Sequence, residues 1–326
     1  MIWCDFLTKF CVALKLPDYK ITQLLNALMN RVLIINKPAR FTSHDVVNRV
    51  RCILQERSVG HLGTLDPLAT GVLPLVIGNL TRLAKFYAAS EKTYEGTIRF
   101  GFATDTYDSD GEPTGQAQPA TLSLTELRDL AHRFRGRIEQ TPPPFSAKKI
   151  NGVPAYKLAR KKKEVALKPV QVEVKELEIL TADGDRATFR AQVSSGTYIR
   201  SIAHDMGQQM GCGAHLEQLC RTSVAEFQLA DAHTLEELQS SAGHNQLEEM
   251  FVHPRKLLPD IPAVTANDEA AARIRSGQSV NLPEFSQAPL VKVFYGQREL
   301  IAVATRIAGT LFHAKIVLSG SESTVR

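Results

Sequence analysis

The segment Gly60-His61-Leu62-Gly63-Thr64-Leu65-Asp66-Pro67-Leu68-Ala69-Thr70-Gly71 sets one carboxylate in the middle of a loop that carries three glycines. Glycine permits backbone conformations and close approaches that a side chain forbids, and Pro67 stiffens the chain directly after Asp66. Such a loop displays an acid rigidly, as acid–base or nucleophilic chemistry demands. Asp-Pro pairs also cap ordinary turns, so these residues alone leave Asp66 open between a catalytic carboxylate and a turn former. Cys212, His215 and Cys220 are close enough in sequence to suggest metal ligands, but no fourth ligand stands at finger spacing, and no metal is expected. The five cysteines form no CxxC pair, and their odd number suits a reducing, cytoplasmic setting better than a disulfide framework.

A second cluster could bind rather than react. Between Pro142 and Pro169, Lys148, Lys149, Lys157, Arg160, Lys161, Lys162, Lys163 and Lys168 face a single nearby acid, Glu164. The run is either a solvated lysine-rich helix or a projecting arm that closes on a phosphate backbone, with Phe145 and Tyr156 interleaved for stacking. Over the whole chain of 326 residues, 39 basic and 34 acidic side chains leave a net charge of +5, which permits a polyanionic partner without identifying one. No stretch reaches the ~20 apolar residues needed to span a bilayer, so no membrane association is expected.

These groups need elements to hold them. Val32 to Asn36 reads as a buried strand ended by Lys37-Pro38, and Thr42 or Ser43 caps a helix whose stripe is Val46, Val47, Val50, Ile53 and Leu54. Val72 to Ile77 is an apolar strand, Thr81 to Ala89 a short helix, and Thr93 to Gly101 a strand with Tyr94, Gly96, Ile98 and Phe100 on one face. Residues 105–118 form a loop, Leu122 to Phe134 a helix, and Val170–Leu180 and Ala187–Val193 two strands joined at Asp183-Gly184-Asp185. A helix follows Gly196-Thr197. Beyond Pro259 to Pro262 the pattern restarts with a helix at Asn267–Ser276 and strands at Pro289–Tyr295, Leu300–Ile307 and Leu311–Leu318. One large or two unequal domains follow: an extension over residues 1–28, either an upstream-start artefact or a helix packed on the body, then a body over 29–258 and a small β-rich module over 259–326.

The run GHLGTLDPLATGVLPL resembles the signature of the TruB family of pseudouridine synthases over sixteen consecutive positions. Asn36-Lys37-Pro38 with Ser43 is similar to the family's first motif, Lys92-Thr93-Tyr94-Glu95 to its tyrosine strand, and Ser195 to Ala203 to its arginine motif. Gly211 to Leu219 resembles its leucine-bearing segment, so the likeness runs in order from about residue 30 to 225. It implies an α+β fold: a mixed, mainly antiparallel central sheet with flanking helices, followed by a small PUA-like RNA-binding module.

The resemblance also implies a function and a site. The expected reaction turns the T-arm uridine of tRNA, position 55, into pseudouridine without a cofactor, and Asp66 is the catalytic carboxylate. Arg200 matches the guanidinium beside it; an opposite charge within ~4–6 Å favours an ionised acid. Tyr94 matches the tyrosine that stacks on the target base and handles the C5 proton. His61 matches a residue that fills the space left by the extruded nucleotide, Tyr198 and Leu219 match base-pocket positions, and Lys37 a substrate-site lysine or a support of the loop. The lysine-rich insertion, about 142–169, is similar to the thumb of the stand-alone branch, with Lys148, Lys149, Lys161, Lys162 and Lys163 on the RNA backbone. A monomer with no obligatory protein partner is the expectation. Two alternatives stay open: an RNA-binding or tRNA-folding protein that uses the same groove, and a guide-dependent enzyme acting on ribosomal RNA.

Overall fold

The computed structural model describes residues 30–318, except 121, 147, 151, 160, 162–166 and 245. The expected extension over residues 1–28 lies outside them. Strand β1 (Asn30–Lys37) leads through a tight turn into helix α1 (Ser43–Leu54). Thr42 caps α1 in a reciprocal box: its side chain accepts from the Asp45 N–H while the Asp45 carboxylate accepts from the Thr42 N–H. Val46, Val47, Val50 and Leu54 are the buried stripe anticipated from their spacing. Then come β2 (Val59–His61) and β3 (Thr70–Gly78), with the Asp66 loop between them.

The helix expected over Thr81–Ala89 is instead a 3-10 turn (Asn79–Leu83) followed by a four-residue helix α2 (Ala84–Tyr87). Neither N-cap residue, Gly78 or Leu83, makes a side-chain cap bond, and the first N–H of the 3-10 turn, that of Asn79, donates instead to the Asn30 side-chain oxygen at 2.8 Å. Next are β4 (Lys92–Phe100), α3 (Leu124–Arg133) and β5 (Gly136–Gln140). The lysine-rich segment is not one continuous helix. It contains the hairpin β6 (Lys149–Ile150) and β7 (Val153–Pro154), turning at Gly152 with φ 82°, and the short helix α4 (Ala155–Ala159). The long hairpin β8 (Val170–Asp183) and β9 (Arg186–Val193), helix α5 (Ile199–Met210), β10 (Ala214–Val224), β11 (Phe227–Gln228) and α6 (Leu235–Gly243) complete the body.

Nine strands form the main sheet in the order β1-β3-β10-β4-β9-β8-β5, with β2 paired to β3 and β11 to β10. Every pairing is antiparallel except β3 with β10, which run parallel where Thr70 and Gly71 meet Cys220 and Arg221. The Asp66 loop enters β3 at that junction. Helices α1, α3, α5 and α6 pack their apolar residues on one face of the sheet, in a core that includes Val46, Leu130, Met206 and Leu238.

A second, five-stranded sheet lies C-terminal: β12 (Ala263–Ala266), β13 (Val280–Asn281), β14 (Leu290–Tyr295), β15 (Glu299–Ala308) and β16 (Leu311–Val317), ordered β12-β14-β15-β16-β13, with helix α7 (Asp268–Arg275) packed on it. Its Phe294, Leu300, Val303 and Ile316 join Val32, Ile34, Val72 and Val76 in one apolar layer, so the small sheet is seated on the other face of the large one. Among the described residues, no helix is long and apolar enough to cross a membrane.

Candidate active site

The Asp66 loop is tied down on both sides of the carboxylate. The Ser43 hydroxyl accepts from the Leu65 N–H at 2.8 Å and lies 3.2 Å from the Leu65 carbonyl. The carbonyl of Pro67 accepts from the Arg40 N–H at 2.8 Å and from Lys37 Nζ at 3.3 Å. On the N-terminal side, Arg221 donates to the carbonyls of Gly63 at 3.0 Å and Thr64 at 3.4 Å, and anchors itself on the Val72 carbonyl at 2.8 Å. A loop held at that many points loses little further freedom when a reactant arrives.

Arg200 stands in the first turn of α5, where the helix dipole disfavours a cation, and two carboxylates offset that cost. Its Nε lies 2.8 Å from Asp66 Oδ2, an ion pair aligned off the hydrogen-bond axis, and its Nη1 lies 3.5 Å from Asp108 Oδ2. Nη1 and Nη2 also donate to the carbonyls of Thr106 and Phe145, both at 3.0 Å. The Arg200 side chain is 4% exposed, against 38% for Asp66 and 7% for Asp108. Burial pushes the Asp108 carboxyl up; its hydrogen bond from Thr106 and the Arg200 charge oppose that rise. The loop bearing Thr106 and Asp108 is held to α5 by Tyr107, whose ring stacks on His204 with centroids 3.8 Å apart.

Of the residues singled out from the sequence, His61, Asp66, Tyr94, Tyr198, Arg200 and Leu219 converge on one cleft of about 300 Å³. Tyr94 projects from the buried face of β4, 7% exposed, with its hydroxyl in contact with Arg221. Burial raises the Tyr94 phenol and the Arg221 charge opposes the rise, so the group is neutral at pH 7. His61 Nδ1 accepts from the Gly63 N–H, and burial lowers its imidazole, with Arg221 and His44 adding to the effect. The backbone of Tyr198 is clamped by the buried Gln140 amide, which accepts from the Tyr198 N–H at 2.8 Å and donates to its carbonyl at 3.0 Å.

Lys37 is the exception. It is fully buried beneath the loop rather than in the cleft, its ammonium donating to the carbonyls of Pro38, Phe41 and Pro67. Burial lowers it to about 8. It supports the loop, and a direct substrate contact would break those bonds. Of the arm lysines, Lys148 and Lys161 are exposed, Lys149 lies on β6, and Lys162 and Lys163 fall outside the described residues. His215, weighed as a metal ligand, has its Nδ1 3.1 Å from the Phe102 carbonyl and its ring against the Phe102 ring.

Sequence reasoning missed three residues. Asp108 was one acid among several in a polar loop, with nothing local to distinguish it. Arg221 carries a readable signal, since period-2 alternation along β10 puts it on the side of Leu219. Lys92 opens the tyrosine-strand motif without a role of its own there; it lines the cleft, and burial, helped by the Arg221 charge, lowers it to about 8.

Residues 51–199 match the family described as TruB family pseudouridylate synthase (N terminal domain), and residues 200–260 match the tRNA pseudouridylate synthase B C-terminal domain. The chain is 47% identical over 293 residues to the tRNA pseudouridine synthase B of Solibacter usitatus, covering 89% of this chain and 100% of the relative. It is 39% identical over 292 residues to that of Aquifex aeolicus, with the same coverage. Among solved structures, an H/ACA RNP bound to a substrate RNA containing 2'-deoxyuridine aligns with a TM-score of 0.67 at 21% identity, covering 93% of this chain and 88% of that one, a likeness of fold.

Proposed function

This chain belongs to the TruB family of pseudouridylate synthases, and from that premise we propose that it isomerises the T-arm uridine of tRNA, position 55, with Asp66 as the catalytic carboxylate. The observation that carries the reading is the cleft itself: one partly exposed carboxylate, paired to a buried guanidinium, set against Tyr94, Tyr198 and Leu219. Aromatic and apolar walls suit a flat base withdrawn from its stack, which costs a few kcal/mol that binding must offset.

The bond changes balance without any other reactant. The N1–C1′ bond breaks, the detached base turns, a C5–C1′ bond forms, C5 loses its proton and N1 gains one. Arg200 holds Asp66 in place through the change. Tyr94 stacks on the base, and its hydroxyl, held by Arg221, takes part in moving the C5 proton by accepting it on oxygen as its own proton passes on to water. His61 fills the gap left in the RNA, and Tyr198 and Leu219 border the base. The basic arm, with Lys148, Lys149, Lys161, Lys162 and Lys163, grips the RNA backbone as a thumb, and the small module over 259–326 is a PUA-like RNA-binding unit. The protein works as a monomer without a guide, in the cytoplasm.

The test is mass spectrometry of an unmodified tRNA transcript incubated with the purified protein alone. Pseudouridine confined to the T-arm uridine, absent with Asp66→Ala, is the expected result. Tight binding without product would favour a tRNA-binding or folding role, and product only with added guide RNA would favour the guided branch.

A further inference from the structure

Five non-glycine residues adopt positive φ among those described, and four have a structural reason. Gln55 closes the C-terminus of α1, Tyr107 stacks on His204, Ala225 turns the chain between β10 and β11, and Leu258 buries its side chain. The fifth is Arg40, at φ 67° in the turn between β1 and α1. Its backbone earns that conformation, since the N–H reaches the Pro67 carbonyl one residue beyond Asp66. Its side chain does not. The guanidinium is exposed and makes no hydrogen bond or ion pair with the described residues, so glycine would serve the turn at least as well.

An RNA strand approaching Asp66 brings negative charge toward a carboxylate and needs positive surface at the mouth of the cleft. Among the cations around Asp66, Lys37, Arg200 and Arg221 are buried and committed to carbonyls or carboxylates, and Lys92 lies inside the cleft, donating to the Ser90 carbonyl, rather than on its rim. Arg40 is followed by Phe41, 40% exposed, and by the exposed His44. The one acid on this strip, Asp45, is engaged by the Thr42 N–H and hydroxyl.

We infer that Arg40, flanked by Phe41 and His44, forms a contact for an RNA phosphate on the rim of the cleft, outside the pocket that receives the base. This rests on the proposed RNA substrate and adds a contact that neither the pocket nor the basic arm provides. The guanidinium offers two parallel donors to one phosphate, and the exposed ring beside it offers a face for a neighbouring base. A strained backbone that carries a residue the fold does not need is the trace of a binding role.

Arg40→Gly separates the two uses of the residue. Affinity for an unmodified tRNA transcript is measured for the wild type, Arg40→Gly and Arg40→Lys across a salt series, together with thermal melting. Loss of one phosphate contact lowers the log–log salt slope by about 0.7–0.9, which at ~0.1 M salt is a roughly five- to eightfold weaker affinity. The expected outcome is that Arg40→Gly melts no lower than the wild type, binds weaker by that factor and shows the flatter slope, while Arg40→Lys keeps the slope. Unchanged affinity and slope in Arg40→Gly would overturn the inference, and so would weaker binding with an unaltered slope. A lowered melting temperature with wild-type affinity would show a structural residue instead. Turnover by the wild type on the same transcript is read separately, so a failure of the functional proposal leaves the affinity comparison intact.

Discussion

Replacing Arg200 by methionine keeps an unbranched apolar stem and removes the charge and donors of the side chain. At the ~4 Å between charge centres that a close carboxylate–guanidinium pair keeps, an effective dielectric of about 20 gives roughly 4 kcal/mol of attraction. The Asp66 side chain is 38% exposed, so solvent screens part of that; keeping about half leaves ~2 kcal/mol, or about 30-fold in rate. A carboxylate released from its position costs about another hundredfold. Turnover of Arg200→Met should therefore fall by roughly three orders of magnitude, while tRNA affinity changes less than about threefold, because a side chain 4% exposed presents little surface to RNA. The variant also strands Asp108, 7% exposed, without its cation, and breaking a buried pair in this way costs about 3–5 kcal/mol of stability. Adding Asp108→Asn removes the stranded charge. Single-turnover kinetics, filter binding and denaturant melts on both variants separate the effects: the double variant should regain most of the stability and none of the turnover. If turnover returned with stability, or if affinity fell as far as rate in the single variant, Arg200 would be a scaffold residue and the electrostatic reasoning would be refuted.

Two further perturbations probe the cleft and its foundation. Lys92 is held down to about 8 by burial, so it is charged below that pH and neutral above it; tRNA affinity should fall as pH rises through about 8, and Lys92→Arg should abolish that fall, whereas an identical pH profile in both proteins would exclude Lys92 as the titrating group. The folded value is depressed, so between about 8 and the ordinary 10.5 the unfolded chain holds a proton that the folded one lacks, and the stability contributed by this site should rise with pH across that window in denaturant titrations. Gly71 has φ 99°, and a Cβ there would stand 2.3 Å from the Arg221 carbonyl oxygen at the parallel β3–β10 junction. Gly71→Ala should cost at least about 3 kcal/mol through strain and overpacking, and a melting temperature within about 2 °C of the wild type would show that the junction can yield.

The sequence alone determined whatever depends on local periodicity and short-range chemistry. The capped helix after Lys37, the strand bearing Tyr94 on its buried face, the hairpin through Asp183-Gly184-Asp185 and the C-terminal strands all follow from residue spacing, because helix and strand impose different periods on apolar side chains. The long motif around Asp66 pointed to the loop, and the resemblance pointed to the cleft residues His61, Tyr94, Tyr198, Arg200 and Leu219. Tertiary structure alone decided what spans the sheet. Asp108 reaches Arg200 from a loop 92 positions earlier in the chain, and Arg221 reaches Gly63 across 158, distances over which no periodicity carries information. It also moved Lys37 beneath the loop and left Arg40 outside. Which cations a fold spends on its own carbonyls and which it leaves for a ligand is a matter of burial, and burial is settled only when the strands have packed.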